Sequence, residues 1–369
     1  MKRLKNIWIW LRTRFPVRRV HLALSLRVTL ASVLALAAAQ LASLPLPLWS
    51  VLTAVIVTQM SVGRSLQTTG NYLLGTLGGA AYGGAISVLI PHQSELALLA
   101  VLVLAVAPLA AIAATRANLN VVPITAIIVL LVPTFTHSSP LDSAINRVLE
   151  VALGAVIGLA VSFFVLPSSA HRLVRHAAAR MLDLMAHGLE LLLAGVCEGL
   201  DNAQLYPLQD GIGEVLVEIN TVSGEAERER AARLSAEPDT GPLRRTLLRL
   251  RHDLVMLGRA AGAPLPATMR VRLKPRLGAI ASAASDYMRA SGAALLARWG
   301  PPSLDPFVQA LAAYGSEIEA LRKEGLTLAL PAAAAERFFA VGFVLEQMHQ
   351  NFRDLERVVT EWSAEAKAA

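Results

Sequence analysis

The chain is 369 residues long, 54% hydrophobic, with a mean hydropathy of +0.51 and a formal charge of +7. That is well above the apolar content of a soluble domain of this length and argues against one. A single cysteine, Cys197, excludes an intrachain disulfide and any thiolate metal cluster built from one chain.

Residues 1–20 read as a basic interfacial leader. Lys2, Arg3, Lys5, Arg12, Arg14, Arg18 and Arg19 crowd it beside Trp8 and Trp10, side chains that suit a headgroup interface over an anionic inner leaflet. Nucleic acid is the competing partner for a basic run; the Trp pair and the adjoining apolar span argue for the lipid bilayer and against nucleic acid. Ala37 to Ala39 resemble a signal-peptide cleavage site, but the basic region is long and the apolar run continues through Leu44, so no cleavage is expected.

Residues 21–167 read as a transmembrane domain. Its charged side chains are only Arg27, Arg64, Glu95, Arg116, Asp142, Arg147 and Glu150, the depletion that hydrocarbon demands. Six apolar segments can be drawn: Leu22 to Leu44, Leu46 to Val62, Tyr72 to Ile90, Leu96 to Thr115, Leu119 to Phe135, and Ala144 to Leu166. The second and fifth are short for a crossing that needs about twenty residues. Arg64, Arg116 and the trio Arg172, Arg175 and Arg180 fall on alternate connections, while the others carry no Lys or Arg. The positive-inside rule then predicts an even number of spans with both termini cytoplasmic.

The segments echo one another. Thr53-Ala54-Val55-Ile56-Val57 returns 72 positions later as Thr125-Ala126-Ile127-Ile128-Val129, and Gly79, Gly83 and Ser87 return as Gly154, Gly158 and Ser162 at an offset of 75. Three spans per half predicts an inverted 3+3 repeat, the construction by which many secondary transporters open to either side of one central site. Short, Pro-flanked spans at matching positions point to that site. Pro45 and Pro47 precede segment two, while Pro123 and Pro133 bracket segment five; the plain alternative is that these prolines only start or end helices. Gly75, Gly79 and Gly83, with Gly154 and Gly158, form small-residue stripes that bring helix backbones together, and this spacing argues packing rather than chemistry.

The remaining charges are candidates for a substrate path. Arg147 and Glu150 lie three apart, share a helical face and could pair. A guanidinium facing a polar lane would hold a carboxylate in a two-pronged hydrogen bond, which suits a small organic anion. Glu150 could carry a coupling proton. Arg27 either belongs to the path or snorkels to the interface. Arg64 and Arg116 would make a positive mouth, and Gln59, Thr53 and Thr125 would offer neutral hydrogen bonds. No P-loop, H-E-x-x-H or G-x-S-x-G occurs, so the chain is expected to be no enzyme, to hydrolyse no ATP, and to need neither metal nor cofactor. His92 and His137 could titrate near neutrality, though solvated loop positions explain them as well.

Residues 168–369 read as a cytoplasmic helical domain of about six helices. Val174, Ala178, Met181, Met185, Leu189 and Leu192 trace one apolar stripe and Ile212, Val215, Ile219, Val222 and Ala226 another. Breaks are predicted near Asp201, Pro238 to Pro242, Pro264 to Pro266, Pro301 to Pro306 and Gly325 to Pro331. With no flexible linker at residue 168, the first tail helix could run straight on from segment six. A passive dimerisation bundle is the favoured role, a sensing domain the other.

The stretch from Trp49 to Ser65, WSVLTAVIVTQMSVGRS, then GTLGGAAYGG from Gly75, then Arg147, Glu150, Gly154, Gly158 and Pro167, resembles the fusaric acid resistance protein-like or aromatic acid exporter family in a half-length bacterial form. In the tail, LRHDLVMLGRA from Leu250 and VGFVLEQMHQNFRDL from Val341 look similar to stretches of such members. The resemblance implies an inner-membrane exporter of aromatic carboxylates by secondary transport, paired with a periplasmic adaptor protein. The related plant malate channels imply a homodimer and leave a passive anion channel as an alternative; a structural or regulatory membrane protein is the third reading. Members commonly carry a basic residue just ahead of the GT pair. This chain has Asn71 and Tyr72 there, with Arg147 at the corresponding place of the second half.

Overall fold

The computed structural model describes residues 2–90, 94–116, 119–136, 139–166, 169–200, 202–232 and 234–364, and leaves aside the side chains of residues 2–21, 136, 202 and 204. The leader's basic and Trp side chains, His92 and His137 therefore lie outside the described residues. The described residues are all-α, in two compact units, 1–169 and 170–369.

The first unit holds α1 (Lys2–Leu41), α2 (Leu48–Val57), α3 (Val62–Leu89), α4 (Glu95–Thr115), α5 (Val121–Thr136) and α6 (Pro140–Phe164). Four of these are long and apolar enough to cross a membrane: α1 over Leu22–Leu41, α3, α4 and α6. Helix α2 has 10 residues and α5 has 16, about 15 and 24 Å at 1.5 Å per residue.

Two predicted boundaries move. Helix α2 stops at Val57, where the Thr58 hydroxyl turns back to the Ala54 carbonyl at 2.7 Å and the Thr58 backbone is extended. Helix α3 starts at Val62, ten residues before the predicted Tyr72. Ser61 caps it by accepting from the Arg64 amide at 3.2 Å, an ordinary N-cap. Arg64 thus stands in the first turn of α3 rather than in a connection. Polar residues from Arg64 to Asn71 hid this turn from a hydropathy reading.

Helices α3 and α6 run antiparallel through the middle, with the Ser65 hydroxyl 3.2 Å from that of Ser162 and Gly84 facing Ala144. Helix α2 lies along α6 and α5 along α3. The approach is close in both places. A Cβ on Gly154 would fall 2.2 Å from the Ser50 carbonyl oxygen, and one on Gly79 would fall 2.4 Å from that of Val122. Gly158 meets Ala54 as Gly83 meets Ala126. Ser50, Thr53 and Ala54 stand 72 positions before Val122, Thr125 and Ala126, while Gly79 and Gly83 stand 75 before Gly154 and Gly158. The contact of α1 with α2 is matched by α4 with α5, and that of α1 with α6 by α4 with α3.

The second unit holds α7 (Ala170–Glu198), α8 (Asn202–Ala231), α9 (Thr240–Ala260), α10 (Ala267–Ala297), α11 (Asp305–Lys323) and α12 (Ala332–Ala364). Helix α7 packs on α8, α9 and α10, and α12 packs on α9, α10 and α11 around one apolar core. Three buried polar side chains there are paired: Ser285 with the Ala186 carbonyl at 2.9 Å, Tyr287 with the Phe352 carbonyl at 3.2 Å, and Asp253 with Asn351 at 2.6 Å. Helix α6 ends at Phe164 and α7 begins at Ala170, so the tail does not continue the last apolar helix without a break.

Candidate anion site between the short helices

One face of α6 carries Ser143, Arg147, Glu150, Gly154 and Gly158, all buried, the 3- and 4-residue spacing of a single helical stripe. The glycines admit α2 to within backbone contact, and α2 brings Trp49 onto Arg147. The guanidinium carbon lies 4.2 Å from the Trp49 ring centroid, a cation–π stack. Arg147 is 2% exposed, and its Nε and Nη1 have no hydrogen-bond partner. The Tyr72 phenol of α3 lines the same pocket as the guanidinium.

Glu150 is equally buried but does not pair with Arg147, against the sequence expectation. Its Oε1 accepts from the Leu46 amide at 2.8 Å, at the start of α2, and its carbonyl accepts from the Ser50 hydroxyl at 2.8 Å. The carboxylate faces a helix N-terminus, where amides lack intrahelical partners and the dipole favours negative charge. That site competes with the guanidinium and holds it.

Both short helices begin deep inside the unit. Helix α2 starts opposite Glu150, ten residues into α6, and α5 starts opposite Gly75, thirteen residues into α3. At 1.5 Å per residue these are depths of about 15 and 20 Å. Two pockets adjoin the starts, and Arg147 and Trp49 line both. One, of about 250 Å³, runs past Pro45, Ser143, Asn146 and Glu150 toward the ends where α1 finishes and α6 begins. The other, of about 480 Å³, runs past Tyr72, Asn71, Thr68 and Asn120 toward the opposite ends.

The remaining sequence candidates separate. Thr53 is buried where α2 meets Gly154, its hydroxyl donating to the Trp49 carbonyl at 2.7 Å. Thr125 is buried against Gly79 with no partner for its hydroxyl. Gln59 sits in the α2–α3 break and donates to the Ile56 carbonyl at 2.6 Å. Fully buried Arg27 donates to the Met60 carbonyl in that same break at 3.2 Å, so it does not snorkel but ties α1 to the interruption. Arg64 is exposed near the same end. Trp49, Tyr72, Asn71, Asn120 and Asn146 were not singled out as site residues. The 75-residue offset, which relates Tyr72 to Arg147 and Asn71 to Asn146, was the signal that could have found them.

Among the described residues no three His, Cys, Asp or Glu side chains are grouped to hold a metal. Residues 34–161 match the family model described as fusaric acid resistance protein-like. No curated protein matches the chain. The match spans the short helices, their glycine partners, Trp49, Arg147 and Glu150, so the first unit is similar to the fusaric acid resistance protein-like family over about a third of the chain, and its several apolar helices of membrane-crossing length make this a multi-pass membrane protein.

Proposed function

We propose that the chain moves small organic anions, aromatic carboxylates foremost, across a bacterial inner membrane by secondary transport, with all six helices of the first unit in the bilayer and both termini cytoplasmic. The observation that carries this is the Arg147 guanidinium: buried, lacking acceptors for two of its nitrogens, and shared by pockets that run toward opposite ends of the unit. A buried cation with unmade hydrogen bonds is costly unless an anion completes it.

Two half-length helices starting at mid-depth are the device by which transporters aim helix N-termini at anionic cargo. The duplicated contacts of α2 with α6 and α5 with α3 support an inverted 3+3 repeat, in which the two pockets are the two openings of one path. Arg64 and Arg116 make the cytoplasmic mouth positive. Glu150 is the group available for proton coupling.

The test is efflux of radiolabelled benzoate from proteoliposomes holding the purified full chain. Arg147→Ala should lower the flux at least about tenfold, the usual cost of removing a charged hydrogen-bonding partner. Unchanged flux sinks the reading. Dissipating the proton gradient separates coupled export, which stops, from a passive channel, which does not.

A further inference from the structure

We infer that the N-terminal end of α5 is the seat of the cargo's carboxylate, occupying in the second half of the repeat the place that Glu150 occupies for α2. This rests on the reading of the chain as an organic-anion carrier.

At the start of α2 the structure contains a carboxylate already in position. Glu150 Oε1 accepts from the Leu46 amide at 2.8 Å, satisfying a helix-entrance donor and facing the positive end of the α2 dipole. The residue 75 positions before Glu150 is Gly75, which has no side chain and packs at the start of α5, where its Cβ would come 3.2 Å from that of Val121. Helix α5 therefore begins opposite Gly75 as α2 begins opposite Glu150, with no acid at the matching position to face its N-terminal end.

What stands there instead is space. Asn120 and Val121 line the pocket of about 480 Å³, and so does Arg147, with Nε and Nη1 unpartnered. No Asp or Glu lines that pocket. An anion placed there meets a buried guanidinium from one side and a helix N-terminus from the other, a favourable setting for both. Leu52, Ile56 and Ile124 make part of the wall apolar and Trp49 and Tyr72 make part of it aromatic, with Thr68 and Asn71 the further polar lining. One carboxylate on a flat apolar body fits this lining; a second carboxylate would find no second cation, because Arg147 is the one cationic side chain that lines the pocket. The ligand class is an aromatic monocarboxylate.

The geometry predicts that an acid built into the α5 entrance will act as Glu150 does for α2 and exclude the cargo. Asn120→Asp is isosteric and adds one negative charge. Val121→Asp places the charge in the first helical turn, where acids are well tolerated, and Val121→Asn controls for shape. Benzoate binding is measured by titration calorimetry on the purified full chain in nanodiscs, and benzoate flux in proteoliposomes, with melting curves to verify folding.

Both Asp variants should bind benzoate at least about tenfold more weakly than wild type, and Val121→Asp at least about tenfold more weakly than Val121→Asn, which differs from it by the charge alone. Wild type should bind benzoate in preference to succinate. Wild-type affinity in both folded Asp variants overturns the seat even if flux is normal, and leaves the transport reading standing. Binding lost in the Asp variants while wild type carries no benzoate supports the seat and overturns transport. Wild type that neither binds nor carries benzoate overturns both.

Discussion

The Arg147 guanidinium carbon sits 4.2 Å from the centroid of the Trp49 ring, and this stacked pair is the wall between the two pockets of the first unit. Trp49 occupies the second position of α2, and its symmetry-related position, 72 residues on, is Val121. One bulky ring therefore stands between the two openings of the proposed path, on one half only.

Replacing Trp49 by Ala should open it. A cation–π stack of this kind is worth about 0.5 to 2 kcal/mol, so the closed state loses modest stability, while the gap left by an indole is large. Acetate leak from proteoliposomes should rise several-fold in Trp49→Ala and stay close to wild type in Trp49→Phe, which keeps a ring. An acetate leak in Trp49→Ala equal to wild type would show that the path is closed elsewhere.

Glu150 can be divided into a capping role and a charge role. Glu150→Gln retains an oxygen for the Leu46 amide, so its melting temperature should stay near that of wild type. Glu150→Ala leaves the buried amide without its acceptor, a loss of about 1 to 3 kcal/mol. If the carboxyl carries the coupling proton, benzoate export by Glu150→Gln should lose its dependence on the proton gradient while exchange at equal pH persists. Export that still follows the gradient removes Glu150 from coupling.

The glycine contacts set a sharp contrast between neighbours. Ala at Gly154 or Gly79 would put a Cβ 2.2 or 2.4 Å from a backbone carbonyl oxygen, which forces the helices apart, whereas Ala at Gly78 meets nothing within 4 Å. Overpacking costs roughly 1 to 3 kcal/mol, and a mid-helix Gly to Ala change otherwise gains about 1 kcal/mol. Gly154→Ala and Gly79→Ala should lower the detergent-solubilised melting temperature and yield, and Gly78→Ala should raise them slightly.

The same residues show what could be read in advance. Charge depletion from His21 to Pro167, the glycine stripes and the tail breaks at Pro238, Pro264 and Pro301 follow from local chemistry, and helices end and begin around those prolines, while the break at Asp201 lies outside the described residues. Helix α2 misled because hydropathy continues through Met60 to Val62 while Thr58 and Ser61 end one helix and cap the next; single hydroxyls decide that boundary. Arg147 and Glu150 were legible as buried charges. Their separation was not, because the competing partner of Glu150 is a backbone amide 104 residues away, at the entrance of α2. Trp49 read as part of a motif and not as a site residue, since only the fold lays α2 on α6.

The second unit contributes a pH dependence of its own. Asp253 of α9 is buried against Asn351 of α12, and burial pushes its carboxyl from 3.8 to about 6, against the lowering effects of the Asn351 hydrogen bond, His252 and Arg249. Between those values the folded chain keeps a proton that the unfolded chain has released. Stability therefore falls as pH rises from about 4 to 6, and the whole deficit is present above 6. Two pKa units correspond to roughly 2 to 3 kcal/mol. Asp253→Asn keeps a side-chain oxygen for Asn351 and removes the charge, so at pH 7 it should melt higher than wild type, and the gap should shrink steadily toward pH 5. Melting of the full chain in detergent at both values, read as the difference between variant and wild type, isolates this group from all others. A gap that is absent at pH 7, or that does not narrow on acidification, would show that the buried carboxyl is already neutral or already compensated.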